Sequence, residues 1–163
     1  MQSLSPQSVQ KSLSEAAALC DARGKRLTPI RAQVLALMLQ DGRSLKAYEL
    51  LSKIQAIMPN AKPATVYRAL DFLAEEGFIH RLDAINGWTA CQHIHQDHEG
   101  HEHHHDLLAV CTECGAVKEI SAPDISKKLN ALLNDVGFSP NTHETEIRAT
   151  CSNCKKNHLS KNL

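Results

Sequence analysis

The sequence predicts an α+β protein in two parts, and three observations carry the prediction. Four segments of helical periodicity run from residue 8 to residue 77 and give way to a hairpin signal at Asn86-Gly87. Two CxxC pairs, Cys111/Cys114 and Cys151/Cys154, stand 36 residues apart, which is the number and type of ligand of a closed tetrahedral thiolate site. Between these parts, seven of the ten histidines fall within residues 93–105, close to Cys91. No packed core calls for that density, whereas imidazole and thiolate together suit a borderline-soft cation. The parts read as an N-terminal winged helix-turn-helix (residues 1–85), a hinge with a His-rich loop (86–105) and a small zinc-pinned αβ domain (106–163).

Composition narrows the setting. Hydrophobic residues make up 42% but aromatics only 4%, so the core must be built from Leu, Ile, Val and Ala. No apolar run approaches the roughly 20 residues that span a bilayer, and MQSLSPQSVQKSLSE lacks an apolar signal segment. A cytoplasmic setting is expected, where spaced cysteines serve metals more often than disulfides. Net charge is zero, yet residues 23–68 carry nine basic residues against Asp41 and Glu49. That bias suits a polyanion partner as well as an ordinary solvated surface.

The first helix is expected over residues 8–23, with Val9, Leu13, Ala16, Ala17 and Cys20 on its apolar stripe and Gly24 as its stop. Cys20 on that stripe reads as core. The second follows Thr28 as N-cap and Pro29 as first helical residue, shows Ile30, Val34, Leu37 and Met38 at helical spacing, and ends at Gly42. Ser44 caps a third, with Ala47, Leu50, Leu51, Ile54, Ile57 and Met58 on its stripe and Pro59 as terminator. The fourth, KPATVYRALDFLAEEG, buries Val66, Ala69, Leu70 and Leu73 and turns Ala64, Arg68, Asp71 and Glu75 outward. Then FIHRLDAINGWTAC forms a hairpin with a two-residue type I′ turn at Asn86-Gly87.

A winged reader puts the helix before its hairpin into the major groove, N-terminal residues leading. Thr65, Tyr67 and Arg68 then face DNA. Periodicity alone would leave Arg68 a solvated side chain, but the helix order and the wing favour a base contact. A bidentate contact to guanine contributes about 1–3 kcal/mol of discrimination.

In the C-terminal part, strands are expected at residues 107–110 and 116–120, a helix from Ser121 as N-cap over 123–136 with Gly137 as stop, and a strand over 142–149. Fewer than 60 residues make a weak core on their own, so zinc on Cys111, Cys114, Cys151 and Cys154 would replace missing core by tying the first strand to the last. The tail after Cys154, with His158, shows no pattern and reads as frayed.

A second metal site is expected at the joint. With the turn at Asn86-Gly87, Cys91 opposes Leu82 and His93 opposes His80, which makes His80 and Cys91 diagonal neighbours. Glu119, paired back near Leu108, lies a few residues beyond His104 and His105. Taken singly, His80 reads as a phosphate contact, Cys91 as a small buried hydrophobe and Glu119 as a surface charge; taken together they read as a four-coordinate site. A thiolate in the set favours zinc over iron(II). The remaining histidines (His93, His95, His98, His101, His103) form either a polar linker or weak extra metal sites.

KPATVYRALDFLAEEGFIH, HHHDLLAVCTECGAVKE and the closing CSNC resemble the ferric uptake regulator family, most of all its zinc uptake branch, over residues 10–155. The resemblance implies a homodimeric, zinc-responsive repressor with a winged-helix domain and an αβ dimerisation domain. It further implies two zinc ions per subunit and repression of zinc-uptake genes from palindromic operators. Cys111, Cys114, Cys151 and Cys154 match the structural zinc; His80, Cys91, His104 and Glu119 match the regulatory one. Here HHD is followed by Leu107, which leaves His103 and His105 open. His143 matches a position that binds metal in some members. Tyr48 and Arg68 match family DNA contacts. Four readings compete: this repressor; a sister regulator sensing iron(II) or peroxide, which would use no cysteine at the joint; a zinc hydrolase, for which no HExxH run is present; and a metallochaperone, which leaves the winged helix unexplained. An enzyme, a membrane partner and a small-molecule substrate are not expected.

Overall fold

The computed structural model describes residues 4–91, 94, 107–140 and 144–161, with side chains to residue 156. The chain divides into two compact units, Met1–His98 and Glu99–Leu163. The first contains α1 (Pro6–Ala22), α2 (Pro29–Asp41), β1 (Leu45–Lys46), α3 (Ala47–Ile57), α4 (Pro63–Glu75), β2 (Ile79–Leu82) and β3 (Gly87–Ala90). Its strands form an antiparallel sheet in the order β1-β3-β2.

The helices begin and end for local reasons. The Ser5 hydroxyl accepts the Ser8 N–H at 3.2 Å and opens α1. Helix α2 starts at Pro29 behind Thr28 and closes on Gly42, whose φ of 65° is left-handed. It buries Val34, Leu35, Ala36, Met38 and Leu39, a wider face than the expected stripe; Ile30 and Leu37 are only half-buried. The reason is position, since α1, α3 and α4 all pack on α2. Helix α4 buries Val66, Ala69, Leu70 and Leu73 as expected. Cys20 is fully buried in the same core. Glu76, the α4 C-cap, is 6% exposed. Its carboxylate accepts from Arg23 at 3.2 Å and from Lys25, tying the α1–α2 loop to the end of α4.

Two expectations in this unit are corrected. Ser44 is not the cap of α3: Leu45 and Lys46 pair with β3, and the Lys46 N–H instead donates to the Glu49 carboxylate at 2.9 Å. At the far end of the helix Ile57 and Met58 are exposed, at 52% and 38%, and belong to no buried stripe. The hairpin register also differs. Ile79 opposes Ala90, His80 opposes Thr89 and Leu82 opposes Gly87, so the loop is Asp83–Asn86 and not a two-residue turn. Asn86 has φ 48°, but Gly87 has no positive φ and lies in the strand. A Cβ there would stand 2.8 Å from the Leu45 carbonyl oxygen, so Gly87 is glycine because β1 runs against it.

The second unit contains β4 (Leu107–Cys111), β5 (Val117–Ile120), α5 (Pro123–Asp135), β6 (Thr145–Ala149) and α6 (Ser152–Lys161). The sheet order is β5-β4-β6: β4 pairs antiparallel with β5 and parallel with β6, from Leu107↔Thr145 to Cys111↔Ala149. Ala122, not Ser121, is the N-cap of α5, and the helix ends before Gly137 at φ 82°. None of the α5 residues is buried. The segment after Cys154, expected to fray, continues helix α6.

Candidate metal centres and nucleic-acid interface

The four cysteines converge because two adjacent parallel strands deliver them. Cys111 ends β4, and the turn after it folds Cys114 back, with the Gly115 N–H donating to the Cys111 carbonyl at 2.9 Å and Gly115 at φ 72°. Beside it, β6 ends at Ala149, so Cys151 and the first turn of α6 bring in Cys154. Cys111 and Cys154 sulfurs lie 3.9 Å apart, Cys114 and Cys151 sulfurs 3.7 Å, and all four fall within 4.8 Å of one another. A regular tetrahedron with Zn–S bonds of about 2.3 Å has edges of about 3.8 Å, so the set has the size a zinc ion requires. Disulfides, at about 2.05 Å, are excluded, and all six cysteines are free.

Electrostatics point the same way. The Cys151 N–H donates to the Cys111 sulfur at 3.3 Å. This hydrogen bond leads the causes that lower the Cys111 thiol to about 6, despite burial. Cys151 is lowered as well, first by the Cys154 backbone N–H. Cys154 is pushed up, first by sharing hydrogen bonds with Cys151 and then Cys114. Four sulfurs this close cannot all ionise without a cation between them; a divalent ion removes that obstacle.

In the first unit, His80 and Cys91 are 5% and 3% exposed. Their donor atoms lie within 4.8 Å of each other. The Cys91 N–H donates to the Phe78 carbonyl at 2.9 Å, extending the ladder one step past β3. With His80 opposite Thr89, Cys91 is its diagonal neighbour, the same relation the expected register implied. Moving the register by an even number of residues keeps every side chain on its face. Glu119 of the second unit opposes Leu108 and is 8% exposed, a carboxylate withdrawn from solvent. His93, His103, His104, His105 and His143 lie outside the described residues.

The exposed side of α4 carries Ala64, Thr65, Tyr67 and Arg68 on its first two turns, with no acidic residue in the first turn. Tyr67 is 46% exposed and meets the Trp88 ring edge-on, a contact that sequence reading missed although Trp88 is the single tryptophan. Tyr48, second residue of α3, is 67% exposed. Exposed aromatic and guanidinium groups thus stand together on a helix that leads into a hairpin.

A sequence profile of the ferric uptake regulator family matches residues 22–148. The chain belongs to the ferric uptake regulator family. Among relatives in that family, it is 39% identical to the zinc uptake regulation protein of Escherichia coli (strain K12) over 146 residues, 89% of this chain and 82% of that one. It is 33% identical to the ferric uptake regulation protein of Bordetella parapertussis over 116 residues, 71% and 78% of the two chains. Among solved structures it resembles a zinc uptake regulator complexed with zinc and DNA, at TM-score 0.79 and 35% identity, covering 93% of this chain and 97% of that one. The family consists of transcription regulators. Among the described residues, no helix is long and apolar enough to cross a membrane.

Proposed function

We infer that this protein is a zinc-responsive transcriptional repressor whose zinc-loaded homodimer binds palindromic operators and shuts off zinc-uptake genes. One observation carries the reading: a buried imidazole–thiol pair, His80 and Cys91, is built into the hairpin that follows α4. A relative named for zinc uptake and a zinc- and DNA-bound structural neighbour support the same reading.

Cys111, Cys114, Cys151 and Cys154 hold a structural zinc. His80, Cys91, His104 and Glu119 hold a regulatory zinc, with His103 and His105 as alternatives to His104, and His93 and His143 as lesser candidates. The remaining histidines of the His-rich loop offer either further weak metal sites or a polar linker. A zinc ion on His80 and Cys91 would fix the wing hairpin that carries both residues. The Cys91 thiol sets this apart from an iron(II) or peroxide sensor, whose site would favour nitrogen and oxygen. The homodimer rests on α5 and its neighbours. Ile125, Leu132, Val136 and Phe138 are 55–68% exposed, an apolar surface that suits burial against a second copy. The protein works with the chromosome in the cytoplasm, and no catalytic role is assigned.

Tyr48, Thr65, Tyr67 and Arg68 engage DNA. The wing ligands select the arrangement in which both heads of a dimer fit successive half-sites, so operator binding must in turn tighten zinc binding. The test is fluorescence anisotropy on duplexes selected from a random pool by the zinc-loaded protein, with and without chelator. Wild type should bind only with zinc. Cys91→Ser should lose zinc-dependent binding while its mass remains that of a dimer. Wild-type affinity in Cys91→Ser, insensitive to chelator, would overturn the reading.

A further inference from the structure

Trp88 occupies the central strand of the wing sheet, opposite Leu45 on β1 and Arg81 on β2, and is 6% exposed. Its ring centroid lies 6.4 Å from that of Tyr67, with the planes at 64°. This is the edge-to-face geometry favoured by aromatic quadrupoles. Tyr67 is half-exposed and directly precedes Arg68. A tyrosine on a bare helix surface would sample several rotamers, and each would have to be given up on binding. Strands on both sides hold Trp88 in place, and the indole is too buried to reach a duplex itself. Tyr67 is the exposed α4 side chain that its ring touches, and so the direct route by which it can act on DNA reading.

We propose that Trp88 is a positioning residue for operator recognition: from the wing it fixes the Tyr67 ring in the pose with which α4 enters the groove. The proposal rests on the reading of α4 as the DNA-reading helix. It makes base recognition, not general affinity for polyanions, the property at stake, since phosphate contacts carry no sequence information.

The experiment measures binding to a selected duplex and to an unrelated duplex of equal length, using full-length zinc-loaded protein. Trp88→Leu should weaken the selected duplex roughly two- to tenfold and change the unrelated one less than about twofold. Trp88→Phe, which keeps an edge-on ring, should recover most of the loss. Tyr67→Ala should weaken the selected duplex at least as much, and adding Trp88→Leu to it should cost nothing further, because the two act as one unit. Tyr67→Ala should also move Trp88 emission without DNA. Wild-type binding by Trp88→Leu, equal losses on both duplexes, or additive losses would overturn the proposal. If Trp88→Leu fails to fold, Trp88→Phe and Tyr67→Ala decide. Unchanged Trp88 emission in Tyr67→Ala, or a Trp88→Phe protein no better than Tyr67→Ala on the selected duplex, would overturn it. Unchanged selected-duplex binding in Tyr67→Ala would sink the α4 reading along with it, whereas a loss there beside a wild-type Trp88→Leu sinks only the role of Trp88.

Discussion

Gly87→Ala tests the packing of the wing most directly. An added Cβ would stand 2.8 Å from the Leu45 carbonyl oxygen and 3.3 Å from its carbonyl carbon. Carbon–oxygen contacts normally settle at about 3.3–3.6 Å, so the shortfall is about half an ångström. Both neighbours are backbone, and they belong to a two-residue strand that feeds straight into α3, so no side chain can swing aside. Overpacking of this kind costs about 1–3 kcal/mol, partly offset by about 0.5–1 kcal/mol for replacing a strand glycine. A net loss of about 1–2 kcal/mol should lower the melting transition of the first unit by about 5–15 °C. Calorimetry and urea unfolding followed by Trp88 fluorescence would measure it. Gly77→Ala is the control. Gly77 has φ +76° and nothing within 4 Å of a Cβ, so that variant should melt lower through backbone strain alone, leaving Trp88 emission and duplex binding at wild-type values. Gly87→Ala should change all three. An unchanged urea midpoint in Gly87→Ala would refute the close approach of β1 and β3.

Further outcomes follow from the same contacts. Cys114→Ser, or treatment with a strong chelator, should unfold the unit that carries the four thiols and abolish the proposed dimer, since metal binding in small zinc domains contributes about 10–16 kcal/mol; circular dichroism and mass would show it. Burial raises the Glu76 carboxyl, but hydrogen bonds from Lys25 and Arg23 outweigh it and leave the pKa lowered. The folded value then lies below the unfolded one of about 4.3, so this stabilisation is present above about pH 4.3 and is lost as pH falls through the folded pKa. Glu76→Gln should cost about 1–3 kcal/mol at pH 7, and its difference from wild type should shrink in acid, read from urea midpoints across pH. Leu132→Glu should yield a folded, zinc-containing monomer by sedimentation, because Leu132 is 65% exposed on α5 and leaves the fold of one chain intact.

What could be read in advance followed from how different the two sides of each segment are. Helix α4 was legible because Val66 and Leu73 meet the core while Arg68 and Glu75 meet solvent. Helix α2, covered on three sides, gave a blurred period and a misjudged stripe. Strand β1 has no local signature at all: Leu45 and Lys46 are a strand only because β3 offers them an edge. The Asn86-Gly87 dipeptide misled for a related reason. Its glycine answers to Leu45, 42 residues earlier, and not to the turn. The wing pair nevertheless came out as neighbours, because the error in register was even. Both CxxC pairs were readable from spacing, as the chemistry of four thiols dictates. Helix α6 was not, since SNCKKNHLSK has no apolar period and begins where Cys151 and Cys154 must face the other pair.

The parallel pairing of β4 with β6 sets an order of assembly. Leu107 must find Thr145, 38 residues later, before that ladder forms, and long-range parallel pairing is slow to nucleate. The first unit is complete by residue 98, whereas the last thiol arrives at residue 154. At a synthesis rate of about 5–20 residues per second, each nascent chain therefore spends about 3–11 s with its first unit made and the four-thiol cluster short of its last member. Only after the second CxxC has been made can all four thiols meet.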